Sequence, residues 1–222
     1  MRNVRIPGLT TSFTAHSIFC IGRNYAEHAK ELNNALPVLP VVFSKPLTAI
    51  TYDGGEIRIP KNLSQNVHHE VEMVVAIGKY GRFIPEADAM SYVAGYGVGI
   101  DVTARDVQQA LKEKSHPWTL AKGMDTFAPL GNFVEAGQVA RPDRLSISLE
   151  VNGESRQRGT TQDMIFSIPA LISFVSQYMS LHKGDLLFTG TPAGVGPIQN
   201  GDEVTAQLGD GLSRLSVSVK SF

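Results

Sequence analysis

The sequence predicts a β-rich α+β fold, a mixed sheet rolled into a barrel-like shape with a few flanking helices. Three observations lead there. Short β-branched runs separated by Gly and Pro dominate; only two stretches make substantial helices; and the last third returns to strands punctuated by KGD, NGD and GDG turns. No repeat, low-complexity tract or linker interrupts the chain, so residues 1–222 read as a single domain, with 1–16 as an N-terminal extension.

In chain order, Ser17–Ile21 and Val41–Ser44 read as short strands. Between them, GRNYAEHAKELNNALPVLP has helical propensity over Tyr25–Leu32, ended by Asn33-Asn34, Pro37 and Pro40. A polar helix with a broken tail makes 23–37 a candidate lid, as readily as a surface loop. Val67–Ile77 reads as one strand and the Gly-rich but apolar Tyr92–Ile100 as another. Thr103 followed by Asp106 resembles a capping box for a helix over Ala104–Lys114. The alternation of Leu145–Val151 meets Asn152-Gly153, a strong hairpin signal. Ser167 can cap the best helix, with Pro169 in its first turn and Leu171, Ile172, Val175 and Tyr178 on one face. DLLFTG, DEVTAQL and LSVSVKSF supply the closing strands.

Composition excludes several function classes. The formal net charge is −1 without a dense Lys/Arg run, which argues against a nucleic-acid surface or a basic membrane patch. Cys20 is the single cysteine, so disulfides and CxxC metal motifs are out; in SIFCIG it reads as a buried, inert thiol. The N-terminus has no apolar core of signal-peptide length and no stretch reaches a membrane span, from which we expect a cytoplasmic protein.

The chemistry concentrates in VHHEVEMVV. In a strand, Glu70 and Glu72 project to one face with His68, while Val71 and Met73 pack opposite. Burying two unpartnered carboxylates costs several kcal/mol each, so either the strand end is exposed or a cation neutralises them. Asp101 favours the cation, because it ends an apolar strand just before a helix, where sites collect in α/β folds. Three carboxylates suit Mg2+ or Mn2+; His68 in place of Asp101 would instead suit Zn2+ or Fe2+. Arg105 and Gln108 share a helix face and form a plausible clamp for a substrate carboxylate. Lys122 reads, from spacing alone, as a surface lysine. His69 points to the other face as a structural partner. GTPAGVGP lacks the GK[ST] ending of a phosphate loop, so its glycines serve tight turns.

GRNYAEHAKE, FSKP, HHEVEMVVAIG, GIDVTARDVQ, PWTLAKG, VNGESRQRGTTQDMIFSIP and FTGTPAGVGPI together resemble the fumarylacetoacetate hydrolase family, most of all its short acylpyruvate hydrolases and oxaloacetate decarboxylases. The resemblance runs in order from Ser17 to the C-terminus. It implies the β-roll of the fumarylacetoacetase C-terminal domain, usually a homodimer, holding Mg2+ or Mn2+ on Glu70, Glu72 and Asp101. By motif match His28 and Glu31 are the lid dyad, Lys122 an oxyanion contact, Arg105, Gln108 and Thr191 substrate contacts, and Arg23 and Lys45 supporting groups. The chain departs from the longer fumarylacetoacetases in lacking room for their N-terminal domain. It also lacks a fourth carboxylate ahead of the lid histidine, where IGRNYAE stands.

The expected reaction is therefore hydrolysis of a small 3-acylpyruvate, of the acetylpyruvate or fumarylpyruvate type met in aromatic catabolism. His28, oriented by Glu31, would activate water, Lys122 would stabilise the oxyanion, and the divalent ion would stabilise the departing pyruvate enolate. Decarboxylation of oxaloacetate, which yields the same pyruvate enolate, or its tautomerisation by a positioned acid/base at the same metal site, is the alternative.

Overall fold

Val71, Met73, Val75 and Ile77 face one hydrophobic cluster, and Val74 and Ala76 face another. A strand apolar on both faces has to be covered on both sides, and this one is fully buried inside a seven-stranded sheet. The computed structural model describes residues 8–9, 13–31 and 36–222.

The strands are β1 (Ile18–Gly22), β2 (Val41–Lys45), β3 (Ile50–Tyr52), β4 (Glu56–Ile59), β5 (Val67–His69), β6 (Val71–Ile77), β7 (Val93–Ile100) and β8 (Thr103–Ala104). They continue as β9 (Ala128–Glu135), β10 (Ser146–Val151), β11 (Glu154–Thr160), β12 (Leu186–Phe188), β13 (Gly196–Pro197), β14 (Glu203–Leu208) and β15 (Ser213–Ser221). Helices are α1 (Ala26–Glu31), α2 (Arg105–Glu113), α3 (Thr119–Lys122) and α4 (Ile168–Tyr178). The large sheet runs β2-β1-β12-β6-β7-β9-β3, a second β11-β10-β14-β15-β4, and a small one β13-β5-β8. β1–β12 and β3–β9 are parallel pairs within an otherwise antiparallel large sheet, so the sheet is mixed, as expected.

One cluster joins the Val71 face of β6 to the inward residues of β10, β14 and β15 and to Leu171, Ile172 and Val175 of α4. The other collects Cys20, Val74, Ala128, Leu130, Phe133 and Phe188. Large rings there explain the glycines of β7. A Cβ on Gly97 would meet the Phe133 ring at 2.7 Å, and one on Gly99 would meet Phe188 and Val74 at 2.8 Å. The Gly-rich strand is the floor on which two aromatic rings lie.

Ser167 caps α4 by accepting from the Ala170 N–H. Asn152 and Gly153, at φ of 54° and 77°, turn β10 into β11. Three expectations are corrected. Val67–Ile77 is two strands broken at Glu70, because β5 leaves the large sheet to pair with β8 and β13. The capping box does not form. Thr103 lies in β8 with its hydroxyl on Glu70 Oε1 at 3.0 Å, while Asp106 accepts from Ser64 Oγ at 2.6 Å and Gln65 N at 2.8 Å. Tyr178 is exposed rather than on the packed face of α4, as the helix ends beyond the core. Helix α1 begins at Ala26 rather than Tyr25, which forms a β-bridge with Met164, while its expected end at Leu32 and stop at Asn33-Asn34 lie outside the described residues. Among the described residues no helix is long and apolar enough to cross a membrane.

Gly99→Ala overpacks the Phe188 contact and is expected to cost about 1–3 kcal/mol. Adding Phe188→Leu should recover part of that loss, a non-additivity read from urea unfolding of the two single variants and the double variant.

Candidate metal and active centre

Register brings the acidic groups together. Val71 pairs with Ile100 across β6 and β7, so Glu70 and Asp101 stand opposite each other just past the strand pair, and the Asp101 N–H donates to the Glu70 carbonyl at 2.8 Å. Glu72 pairs with Gly99 one step inside. Carboxylate oxygens of Glu70, Glu72 and Asp101 lie within 4.8 Å of one another, and all three residues are buried, between 1% and 5% exposed.

Basic groups answer two of the three. Lys122, at the end of α3, donates to Glu70 Oε2 at 2.9 Å and to Asp101 Oδ2 at 2.5 Å. Lys45, at the end of β2, stands 2.7 Å from Asp101 Oδ1 and donates to the Val102, Lys122 and Phe127 carbonyls. Arg105, opening α2, pairs with Glu70 Oε1 through one guanidinium nitrogen and donates to Gln108 Oε1 at 2.9 Å through another. Glu72 receives the backbone N–H of Gly190 at 2.7 Å and, among the described residues, no ion pair. Gly190 sits at φ 97°, and a Cβ there would meet Asn24 at 2.6 Å, so only glycine can aim that N–H.

The titration directions follow from this layout. Burial raises Glu70, but Arg105 and Lys122 override it and hold its carboxyl well below the usual range. Burial, then the neighbouring Asp101 and Glu70 carboxylates, push Glu72 well above it. Burial pulls Lys122 down, yet Asp101 and Glu70 more than compensate and raise it. Three convergent oxygen donors, one of them driven toward protonation by its neighbours, fit a hard divalent cation. An ammonium already bridges two of the donors. His68 is outside this group. It hydrogen-bonds Asn66 Oδ1 at 2.9 Å, and burial first, then Arg105, lowers it to about 4, so the mixed His site is not formed.

Over the trio lies α1. Buried His28 contacts Glu31 Oε2 through Nδ1 at 3.1 Å, and Glu31 Oε1 accepts the Gly194 N–H at 3.0 Å. Arg23, in the left-handed region at φ 60°, turns the chain into this segment. Arg23, His28, Arg105, Gln108, Lys122 and Thr191 all line one pocket with the three carboxylates. The structure thus brings the predicted site residues to the pocket wall except Glu31, which reaches it through His28, and the supporting Lys45, which stands behind Asp101.

Several supporting groups escaped the sequence reading. Gln157, the buried residue in polar β11, accepts from Val71 N and contacts His69 Nδ1 through Oε1, and donates to Thr191 Oγ1 and the Pro192 carbonyl. It ties the glutamate segment to the GTP loop, and it confirms His69 as a structural partner. Asn24 fastens the segment leading into α1 to Thr189 and Phe166. Phe43, Lys112 and Trp118 complete the pocket wall. A polar strand and a lone asparagine carry no pattern that marks such roles.

Comparison with known proteins agrees with this picture. The model of the fumarylacetoacetate (FAA) hydrolase C-terminal family matches residues 17–220. Oxaloacetate tautomerase FAHD1, mitochondrial, from Arabidopsis thaliana is 48% identical over 203 residues, 91% of this chain and 90% of that protein. The Homo sapiens protein of that name is 46% identical over 204 residues, 92% and 91% of the two chains. The crystal structure of fumarylpyruvate hydrolase from Pseudomonas aeruginosa in complex with Mn2+ and pyruvate superposes with a TM-score of 0.92 at 39% identity, covering 98% of this chain and 95% of that one.

Two substitutions separate the roles of the acidic and basic groups. Glu72→Gln removes a surplus buried carboxylate, so the metal-free Tm should hold or rise while Mn2+ affinity falls at least about tenfold by titration calorimetry, a loss of roughly 1.4 kcal/mol or more. Lys122→Met leaves Glu70 to Arg105 alone and Asp101 to Lys45 alone, and should lower metal-free stability in urea unfolding, by less than the ~3–5 kcal/mol of a fully unpaired buried charge.

Proposed function

The chain belongs to the fumarylacetoacetate hydrolase family, and from that premise we propose that it is a divalent-metal-dependent tautomerase of oxaloacetate. One observation carries the reading: the His28–Glu31 pair is latched to Gly194, and His28 lines one pocket with three convergent buried carboxylates. The names of relatives 46–48% identical over about nine-tenths of both chains support the substrate. Charge supports it too. Once a divalent ion answers the carboxylates, Arg23, Arg105, Lys112 and Lys122 leave the pocket with a positive surplus that suits a dianion. Lys112 registers that surplus, being lowered by burial and then by Arg23, Arg105 and Lys122.

Tautomerisation moves one proton. The C3–H bond of the keto form breaks, its electron pair becomes the C2–C3 double bond, and the C2 oxygen gains a proton. Glu31 fixes His28 through Nδ1, leaving Nε2 to take the C3 proton and deliver it to the C2 oxygen, or the reverse from the enol side. Lys122, pinned between Glu70 and Asp101, keeps an N–H for the oxygen that gains charge, an effect typically worth ~2.7–4 kcal/mol per donor. Arg105, steadied by Gln108, grips a substrate carboxylate. A divalent ion held by Glu70, Glu72 and Asp101 would supply Lewis-acid stabilisation of the enolate.

A second reading, C–C hydrolysis of fumarylpyruvate, is favoured by the likeness to the Mn2+- and pyruvate-bound fumarylpyruvate hydrolase. There His28 would activate water instead of accepting a carbon-bound proton. The pyruvate enolate released by that cleavage would also arise by loss of CO2 from oxaloacetate.

The test is to give Mn2+-loaded protein oxaloacetate, fumarylpyruvate and acetylpyruvate side by side, following enol absorbance, CO2 and pyruvate. We expect fast enol–keto exchange of oxaloacetate, reduced about 10²–10⁴-fold by His28→Ala. Pyruvate formation from fumarylpyruvate without accelerated exchange would replace this reading with the second.

A further inference from the structure

A second cluster of ligating side chains lies outside the carboxylate centre. His16, His182 and Asp185 each offer one ligand atom, all within 4.8 Å of one another. They stand at the entries of two neighbouring parallel strands. Ile18 of β1 pairs with Leu186 of β12, the His16 N–H donates to the Gly184 carbonyl at 3.0 Å, and the Leu186 N–H donates to the Ser17 carbonyl at 2.8 Å.

Asp185 is buried, and its two oxygens have separate duties. One accepts the His182 backbone N–H at 2.7 Å, and the other meets His16 Nδ1 at 3.1 Å. The His16 and His182 rings lie 4.9 Å apart, tilted by 30°, and the Tyr80 ring meets the His182 ring edge-on at 5.3 Å. His16 is exposed and His182 half-buried at the surface, so an ion can reach them. Lys183 of the same turn lies over the Phe13 ring.

The chemistry of this donor set differs from that of the trio. Zinc bonds of about 2.0 Å place tetrahedral ligands roughly 3.3 Å apart, close to the present His16–Asp185 separation. Two imidazoles and one carboxylate select Zn2+, Ni2+ or Cu2+ over the Mg2+ or Mn2+ that oxygen donors prefer.

We propose that His16, His182 and Asp185 form a second metal site, specific for a Zn2+-class ion, which clamps the entries of β1 and β12. β12 leaves this clamp at Leu186 and ends at Phe188, just before Thr189 and the Gly190 amide that holds Glu72, so the two sites lie at opposite ends of one strand. The inference is independent of the reaction assigned above.

The test uses the full chain stripped by chelator. ZnCl2 is titrated calorimetrically, and CoCl2 by visible absorption, into wild type, His16→Gln, His182→Gln and Glu72→Gln. We expect each histidine substitution to remove one Zn2+ equivalent, or to weaken it at least tenfold, and to abolish one set of Co2+ d–d bands. Glu72→Gln should keep both signals. Histidine variants that match wild type in stoichiometry, affinity and spectrum would overturn the site. So would a wild type whose Zn2+ binding disappears entirely in Glu72→Gln. Far-UV dichroism reports folding; if His182→Gln does not fold, His16→Gln, altered at the more peripheral position, decides the question.

Discussion

Three carboxylates buried at the end of a strand pair have to be answered by positive charge, and the local architecture follows from that demand. Lys122 bridges Glu70 and Asp101, Lys45 approaches Asp101 from the other side, and Arg105 closes on Glu70. Each cation comes from a different element, so α2, α3 and β2 must all converge for the acidic cluster to be tolerable. Glu72 is the member left to a backbone amide, which makes it the coordinate on which a divalent ion has most effect.

Fixing the cations is itself costly in polar satisfaction, and backbone carbonyls do it. The Lys45 ammonium is surrounded by the Val102, Lys122 and Phe127 carbonyls, which converts a flexible side chain into a rigid charge. Gln157 does comparable work with neutral groups. Its amide holds β6 on one side and the Thr191–Pro192 loop on the other, so the Thr191 wall of the pocket is positioned by one buried side chain.

What could be read from the sequence was whatever a local pattern encodes. Glu70 and Glu72 stand out because their neighbours are valines and methionine; His28 and Glu31 because three residues is one helical turn; the Asn152-Gly153 hairpin and the Ser167 cap because their backbone chemistry is specific. Misreadings arose where a distant partner outbid a local one. Thr103 had a cap within reach but its hydroxyl goes to Glu70, and the long strand breaks at Glu70 because β5 pairs with β8 and β13. Lys122 and Gln157 were illegible for the same reason, since nothing in WTLAKG or ESRQRGT states what lies across the fold.

Helix α1 carries its own interlock. Glu31 gives one oxygen to His28 and the other to the Gly194 amide, so placing α1 against the Gly194 loop and orienting the imidazole are a single event. A ligand too bulky to let α1 settle would leave the base unaligned as well as the chamber open to water. Under the proposed reaction, selection by size would be built into the proton-transfer step itself, with no separate gatekeeper.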